Sequence, residues 1–208
     1  MKTGPMELPS GDALHRATIE ELFTRTGALR QGHFVLKSGL HSERYLEKFA
    51  VLQFPMLGVE IGRRMSDWLA AHDPTLVVGP TTGGVLLAFE VARQLEDRLH
   101  RTVRDVFAEP IDPGRRALRR GWLVTAEDRI VLVDDILTTG ASIIETADAV
   151  REAGGTPLAA AVIADRSNQP FDPGFPVHSL GRIEIDVWET DECPLCYSGE
   201  PVVRPGAS

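Results

Sequence analysis

Three near-continuous apolar runs constrain the fold of this chain more than any other feature. They are LVVGP at 76–80, RIVLVDD at 129–135 and PLAAAVIADR at 157–166. Segments with helical spacing precede the first run, at 57–71, and separate the three runs, at 84–97 and 142–155. Strands that are apolar throughout and joined through helices form a parallel sheet covered on both faces. We therefore expect an α/β fold in which helices flank a central, mostly parallel sheet.

The remaining segments predict a smaller addition to this core. Residues 14–25 have helical spacing, and residues 34–48 fit two short strands around a Ser-Gly turn. The segment PIDPGRRALRRG, residues 110–121, has two prolines and four arginines and is predicted to be an exposed mobile loop. On the core helices, the apolar spacing predicts that Phe89 and Ile144 face the sheet.

Composition limits the partners of the protein. The net charge of −8 argues against general nucleic-acid binding, which needs a basic face, but a local basic pocket can still bind an anionic substrate. No apolar run approaches the roughly 18 residues of a membrane span, and the N-terminal residues show no signal peptide. The two cysteines, Cys193 and Cys196, indicate no disulfide framework, so we expect a cytoplasmic protein.

The same cysteines raise the possibility of a metal site, and the sequence gives it little support. Two thiolates fill only half of a tetrahedral site, and none of the six histidines has metal-ligand spacing. We expect the C-x-x-C segment to pack or to cap a turn, and His33 and His41 to serve local structure.

The chemical signal is strongest in IVLVDDILTTGAS, residues 130–142. Asp134 and Asp135 end an apolar strand, and a turn rich in hydroxyl groups and glycine leads into a helix. Ligands of parallel sheets bind beyond the carboxyl ends of the strands. Backbone N–H groups and hydroxyls of such a turn can bind a phosphate, while the carboxylates accept hydrogen bonds from ribose hydroxyls or hold Mg²⁺ through water. The alternative is a capping box of Ser142 with Glu145.

This motif resembles the phosphoribosyl diphosphate (PRPP) motif of the type I phosphoribosyltransferases. Further segments resemble the orotate phosphoribosyltransferases among them: TGALRQGHFVLKSGLHSERY at 26–45, VVGPTTGGVLLAFEVARQL at 77–95, LRRGW at 118–122, ADRS at 164–167 and ECPLC with GEPVVRPG at 192–206. The resemblance implies a single domain over residues 1–208. Its core is expected at about 57–165 and a hood at about 13–50 and 166–205, after a disordered lead-in over 1–12.

The resemblance also assigns the PRPP-binding residues. They are Lys37, Thr81, Thr82, Gly83, Asp134, Asp135, Ile136, Leu137, Thr138, Thr139, Gly140, Ala141 and Ser142. Of these, 138–142 are expected to bind the 5-phosphate, the aspartates to face the ribose, and the GPTTGG loop at 79–84 to bind pyrophosphate. Mg²⁺ is implied as cofactor, with Asp134 and Asp135 holding it indirectly through PRPP or water.

Four residues are expected at the base: Lys37, Tyr45, Thr138 and Arg166. Arg166 matches the arginine that pairs with the carboxylate of orotate; a structural salt bridge is the alternative. Tyr45 would stack on the pyrimidine or pack within its hairpin. Lys37 would balance pyrophosphate or the orotate carboxylate, or would be a solvated hairpin lysine.

The loop at 110–121 departs from the family pattern. Many relatives have Lys or Arg directly after the FAE triplet, where this chain has Pro110. We predict that Arg115 or Arg116 replaces the missing cation, as a catalytic residue that stabilises the departing pyrophosphate. The resemblance also implies a homodimer, in which this loop reaches the neighbouring site.

Together these features predict an orotate phosphoribosyltransferase of de novo pyrimidine (UMP) biosynthesis. PRPP and orotate would be its ligands, with no membrane or nucleic-acid partner. The alternatives are a phosphoribosyltransferase for another base and a PRPP-binding regulatory protein with weak or no catalysis.

Overall fold

The computed structural model describes residues 8–36 and 38–205. They cluster into two compact units, which we call the central unit, Phe54–Arg182, and the terminal unit, Met1–Gln53 with Ile183–Ser208. The expected core at 57–165 lies inside the central unit, as do residues 166–182 of the expected hood. The assignment of one domain to the whole chain stays a prediction. Residues 1–7 of the expected lead-in lie outside the described residues, and Asp12 already belongs to a helix.

Helices and strands follow one another along the described chain, and the longest connections lie at 118–128, 166–176 and 180–193. In chain order they are α1 (Asp12–Arg16), α2 (Ile19–Arg25), β1 (Leu29–Val35), β2 (His41–Leu46), α3 (Phe49–Leu52), α4 (Pro55–Leu69), β3 (Leu76–Pro80), α5 (Gly83–Leu99), β4 (Arg104–Asp112), β5 (Arg115–Ala117), β6 (Arg129–Leu137), α6 (Ala141–Glu152), β7 (Thr156–Asp165), β8 (Val177–Ser179), α7 (Pro194–Tyr197) and β9 (Val202–Val203).

A six-stranded sheet forms the central unit, in the order β5-β4-β3-β6-β7-β8. All neighbouring strands are parallel except β4 and β5, which form an antiparallel hairpin at one edge. Strands β3, β6 and β7 are buried along most of their lengths, because helices cover both faces of a parallel sheet. The predicted α/β fold with a mostly parallel sheet is confirmed.

Two predictions about the core helices are wrong. Phe89 is 62% exposed and Ile144 is 36% exposed, whereas Ala88 and Ala147 face the sheet. Both helices carry apolar residues around more than half of their circumference, so apolar spacing alone does not fix which side is buried.

The segment 110–121 is also more ordered than predicted. Glu109 pairs with Ala117 and Pro110 with Arg116, so part of the expected loop is the β4–β5 hairpin. Proline is tolerated there because the hairpin lies at the edge of the sheet.

The terminal unit contains a three-stranded sheet in the order β2-β1-β9. The predicted pair of strands around a Ser-Gly turn is present as β1 and β2. The single helix expected over 14–25 is instead two, α1 and α2. Thr18 and Glu21 form a capping box at the start of α2, which ends the continuity of the helix. No helix within the described ranges combines the length and apolarity that a membrane crossing needs.

Candidate active site

Two buried carboxylates lie near the carboxyl end of β6. Asp134 and Asp135 are only 5% and 2% exposed, and the strand continues two residues beyond them. Oδ1 of Asp134 accepts the N–H of Asp135 at 2.8 Å, and its Oδ2 accepts the hydroxyl of Ser142. Oδ1 of Asp135 accepts the N–H of Ile136 at 2.7 Å. Buried carboxylates need such donors, and the donors fix the direction of each carboxylate.

A sharp turn over residues 138–142 joins β6 to α6. Gly140 has a φ of 79°, and a Cβ on it would lie 1.9 Å from the ring of Phe171. Only glycine fits both conditions. The first N–H groups of α6, which begins at Ala141, have no partner within the helix. The turn therefore offers backbone donors and the hydroxyls of Thr138 and Thr139 to an anion.

The alternative of a capping box between Ser142 and Glu145 is wrong. Gly140 is the N-cap of α6, and its position has no side-chain cap. The Ser142 hydroxyl donates to Asp134, and Glu145 accepts from Nε of Arg116 at 3.1 Å. The polar side chains at the start of α6 thus connect this turn to β6 and to the β4–β5 hairpin.

Glycines bring a second loop against the aspartates. Gly83 begins α5, and a Cβ on it would lie 2.3 Å from Oδ2 of Asp135. A Cβ on Gly79 would lie 2.1 Å from the carbonyl oxygen of Gly84. The peptide bond between Thr81 and Thr82 is cis. The loop predicted to bind pyrophosphate and the predicted ribose-facing carboxylate are therefore in direct contact.

The two candidate loop arginines have different partners. Nη1 of Arg116 lies 3.4 Å from the carbonyl oxygen of Thr81, and the side chain is only 15% exposed. Arg115 pairs with Glu152 at 3.1 Å, and both side chains are largely exposed. Glu152 is the last residue of α6, which spans about 18 Å. Arg115 therefore contacts the end of α6 opposite the 138–142 turn.

Arg166 follows β7 at the same edge of the sheet. Its N–H donates to the carbonyl oxygen of Leu137 at 2.8 Å, which places it beside the end of β6. The side chain is half-buried, and burial lowers the pKa of its guanidinium. Within the described parts of the chain no carboxylate pairs with it, so the salt bridge considered as an alternative has no partner there.

Two predicted site residues remain. Lys37 lies outside the described residues. Tyr45, on β2, packs against Phe34 with ring centroids 5.6 Å apart, and its hydroxyl donates to Glu47 at 3.5 Å. Burial raises the pKa of Tyr45. These contacts fit packing within the hairpin, and stacking on a base stays a prediction.

Sequence reasoning missed two contributors to the site. Phe171 covers Gly140 from a segment without helical or strand periodicity, so no pattern pointed to it. Glu145 holds Arg116, a contact that depends on the register of the β4–β5 hairpin.

Known proteins resemble this chain in both sequence and structure. A family model described as phosphoribosyl transferase domain matches residues 56–197. Orotate phosphoribosyltransferase of Thermotoga maritima is 38% identical over 91% of this chain and 97% of its own length. The enzyme of that name from Caldicellulosiruptor saccharolyticus is 40% identical over 93% of this chain and 98% of its own length.

The solved structures agree on the fold. The crystal structure of orotate phosphoribosyltransferase from Aeropyrum pernix has a TM-score of 0.63 and 22% identity, and the likeness covers 80% of this chain and 94% of that one. The similar structures establish only the fold, whereas the sequence relatives and the match over residues 56–197 establish the family. The chain belongs to the phosphoribosyltransferase family and, within it, to the orotate phosphoribosyltransferases.

Proposed function

We propose that the protein transfers the phosphoribosyl group of PRPP to orotate and releases orotidine 5′-phosphate and pyrophosphate. This reaction belongs to de novo pyrimidine (UMP) biosynthesis. The observation that carries the choice of base is Arg166, which is half-buried beside the end of β6 and pairs with no carboxylate among the described residues. Orotate has a carboxylate, and a guanidinium binds carboxylates through two parallel hydrogen bonds. A base without this group would leave Arg166 without a counter-charge.

The sugar phosphate is proposed to bind along the edge formed by the two loops. Residues Thr138–Ser142 would hold the 5-phosphate through backbone N–H groups and hydroxyls, because the start of α6 favours an anion. Asp134 and Asp135 would accept hydrogen bonds from the ribose hydroxyls. Thr81, Thr82 and Gly83 would receive the pyrophosphate, an assignment supported by the contact between Gly83 and Asp135.

Magnesium is proposed as the cofactor. The residues fit this ion, because Asp134 and Asp135 are carboxylates and Mg²⁺ prefers oxygen ligands. Both are buried and already accept hydrogen bonds, which favours indirect binding through water or PRPP. The bound ion would supply positive charge to the leaving pyrophosphate.

Positioning and charge stabilisation are proposed to be the main contributions of the protein. Ribose C1 would develop positive charge as the bond to pyrophosphate breaks, and the buried aspartates would stabilise it. Arg116, 3.4 Å from the carbonyl oxygen of Thr81, is better placed than Arg115 to stabilise the departing pyrophosphate. The nitrogen of orotate would attack C1, so no side chain has to act as nucleophile.

Lys37 and Tyr45 are proposed to contact the base, and so is Thr138, the first residue of the 138–142 turn. Substituting Tyr45 by Phe and by Ala separates ring stacking from the hydrogen bond to Glu47.

A homodimer is also proposed, in which the part of the 110–121 loop beyond the β4–β5 pairing reaches the neighbouring site while Arg116 acts within its own site. Exposed apolar side chains on neighbouring helices α4 and α5 support it: Met56, Val59, Leu86 and Phe89 are 67%, 37%, 56% and 62% exposed. Such a surface is typical of an interface. Light scattering of the wild type and of Phe89→Glu tests it, since a charge there should dissociate a dimer. A cytoplasmic location stays a prediction.

The experiment that tests the activity measures the loss of orotate absorbance with PRPP and Mg²⁺. Wild type should consume orotate, and Arg166→Ala should lose most of this activity. Adenine, guanine and uracil offered in place of orotate test the alternative of another base. Consumption of one of these but not of orotate would refute the proposed substrate. PRPP binding by calorimetry without turnover of any base would favour the regulatory alternative.

A further inference from the structure

Four side chains with metal-binding atoms converge inside the terminal unit. They are His33 on β1, His41 at the start of β2, Cys193 before α7 and Cys196 within α7. One ligand atom from each lies within 4.8 Å of all the others. His33, His41 and Cys193 are 1%, 6% and 0% exposed, and both thiols are free. Two imidazoles and two thiols around one buried point are an unusual arrangement outside metal sites.

The distances between these atoms are close to the edges of a zinc tetrahedron. With Zn–N near 2.05 Å and Zn–S near 2.3 Å, a tetrahedral site separates N from S by about 3.5–3.6 Å and N from N by about 3.3–3.4 Å. Sγ of Cys196 lies 3.6 Å from Nε2 of His33 and 3.3 Å from Nδ1 of His41. Sγ of Cys193 lies 3.5 Å from Nε2 of His33. Of these four distances, the one between the two nitrogens, 2.8 Å, differs most from its zinc value and would have to lengthen by about half an ångström.

The other ring nitrogens have the partners that metal-bound histidines need. Nδ1 of His33 lies 2.8 Å from the carbonyl oxygen of Glu200. A carbonyl only accepts, so this nitrogen carries the proton and Nε2, which faces the cluster, carries the lone pair. Nε2 of His41 lies 3.3 Å from the hydroxyl oxygen of Thr190, which can accept a hydrogen bond from the N–H at this position. Such second partners fix the ring orientation and tautomer of metal-bound histidines.

We propose that His33, His41, Cys193 and Cys196 bind one zinc ion in a closed, structural Cys₂His₂ site. Nitrogen and thiolate ligands in a tetrahedral arrangement select zinc among common divalent ions, and four protein ligands leave no position for a substrate. The ion would join the β1–β2 hairpin to the C-terminal C-x-x-C segment, 152 to 163 residues further along the chain. It would thereby fix α7 and β9, neither of which has a buried residue of its own, to the β1–β2 hairpin.

Two other arrangements of the same atoms make different predictions. Without a metal, Nδ1–H of His41 would donate to Nε2 of His33, and the thiols would stay protonated. In a redox pair, Cys193 and Cys196 would form a disulfide.

Metal analysis of the full chain tests the proposal. Protein expressed with zinc and purified without chelators should contain about one zinc ion per chain, as a closed four-ligand site requires. His33→Asn and the double variant Cys193→Ser with Cys196→Ser should lose zinc affinity by more than about tenfold, the range reached when only the outer partners of a metal ligand are removed. His100→Asn is the matched control, because His100 is exposed and Asn tolerates its left-handed backbone at φ 53°. It should keep its zinc.

Cobalt replacement keeps the test decisive if the variants do not fold. Wild type loaded with Co²⁺ should show the absorption of a tetrahedral ion with sulfur-to-cobalt charge transfer. The proposal is overturned if wild type binds neither Zn²⁺ nor Co²⁺, if the double variant keeps its metal, or if the mass of untreated protein shows a disulfide. Turnover of orotate is a separate readout, so failure here leaves the proposed activity untouched.

Discussion

The contact between Gly83 and Asp135 makes the sharpest prediction about the site. A Cβ on Gly83 would lie 2.3 Å from Oδ2 of Asp135, about 1.1 Å short of the 3.4 Å at which ordinary contact begins. The carboxylate cannot swing into solvent, because Asp135 is 2% exposed and its other oxygen holds the N–H of Ile136. Gly83→Ala must therefore displace the carboxylate or the loop by about 1 Å.

The change in stability caused by Gly83→Ala is the difference between a gain in helix stability and a cost of overpacking. Alanine in place of glycine stabilises a helix by about 0.5–1 kcal/mol, whereas forcing extra atoms into a packed site costs about 1–3 kcal/mol. Gly58 provides the matched control, because it lies inside α4 and a Cβ there would meet nothing within 4 Å. Gly58→Ala should raise Tm by about 1–4 °C, and Gly83→Ala should unfold at a lower temperature than Gly58→Ala.

Kinetics supply the second readout. Displacement of a positioning group by about 1 Å can cost about 100-fold in rate, so kcat/KM for PRPP should fall by that order in Gly83→Ala. It should stay within twofold of wild type in Gly58→Ala. If the two variants matched in both Tm and kcat/KM, the loop and Asp135 would not form one rigid site, and the reasoning would fail.

Three further predictions follow from paired and unpaired charges. Arg166→Ala should lower kcat/KM for orotate by about 30-fold to several thousand-fold, the effect of removing one partner of a desolvated charge pair, while the free energy of unfolding changes by less than about 1 kcal/mol. Arg116→Ala should lower kcat by at least about tenfold and Arg115→Ala by less than about twofold, because only Arg116 contacts the pyrophosphate loop. Burial raises the pKa of Asp128, but hydrogen bonds led by the one from Arg104 outweigh it and leave the pKa lowered. Asp128→Asn should therefore lose stability near neutral pH, and its difference from wild type should shrink as the pH falls below the ordinary aspartate pKa of 3.8.

Each of these three predictions has a control variant, or an outcome that would contradict it. Arg182→Ala removes a pair between the exposed Arg182 and Asp165 and should barely affect orotate turnover, so equal losses in both variants would contradict the role of Arg166. Equal losses of kcat in Arg115→Ala and Arg116→Ala would contradict the proposal that Arg116, and not Arg115, stabilises the departing pyrophosphate. Urea unfolding from pH 2 to 8 checks Asp128, and a difference from wild type that persists at the lowest pH would contradict the linkage.

The sequence predicted the fold where a local pattern decides the structure. Residues 76–80 form the strand that their apolar run predicts, and Asp134 and Asp135 are buried near the carboxyl end of β6, where the sequence placed them. Apolar spacing failed for Phe89, because its helix has apolar residues on several sides and tertiary packing chooses among them. It also failed at Thr18, where a capping box ends one helix and starts another.

Contacts between distant segments could not be predicted from spacing. Phe171 reaches Gly140 across 31 positions, and His33 reaches Cys193 across 160. No local period connects such pairs, since their proximity depends on how the strands are ordered in the sheets. From the sequence the C-x-x-C segment is therefore expected only to pack or to cap a turn, whereas the fold places His33 and His41 beside it.

The hairpin also explains how the chain accommodates Pro110 at the position where the family resemblance predicts a cation. Pro110 pairs directly with Arg116 across β4 and β5, and cross-strand partners have Cβ atoms about 4.5–5.5 Å apart. The long side chain of Arg116 can therefore bring a positive charge into the region that a cation at 110 would occupy. Its guanidinium already lies beside the carbonyl oxygen of Thr81, and Glu145 holds it there. Because that ion pair is mostly buried, it restrains the guanidinium before any substrate arrives, and a restrained charge stabilises a leaving group at a smaller cost in reorganisation. A lysine at 110 would have to be ordered from an exposed strand edge, so we expect proline at this position to be compatible with full activity.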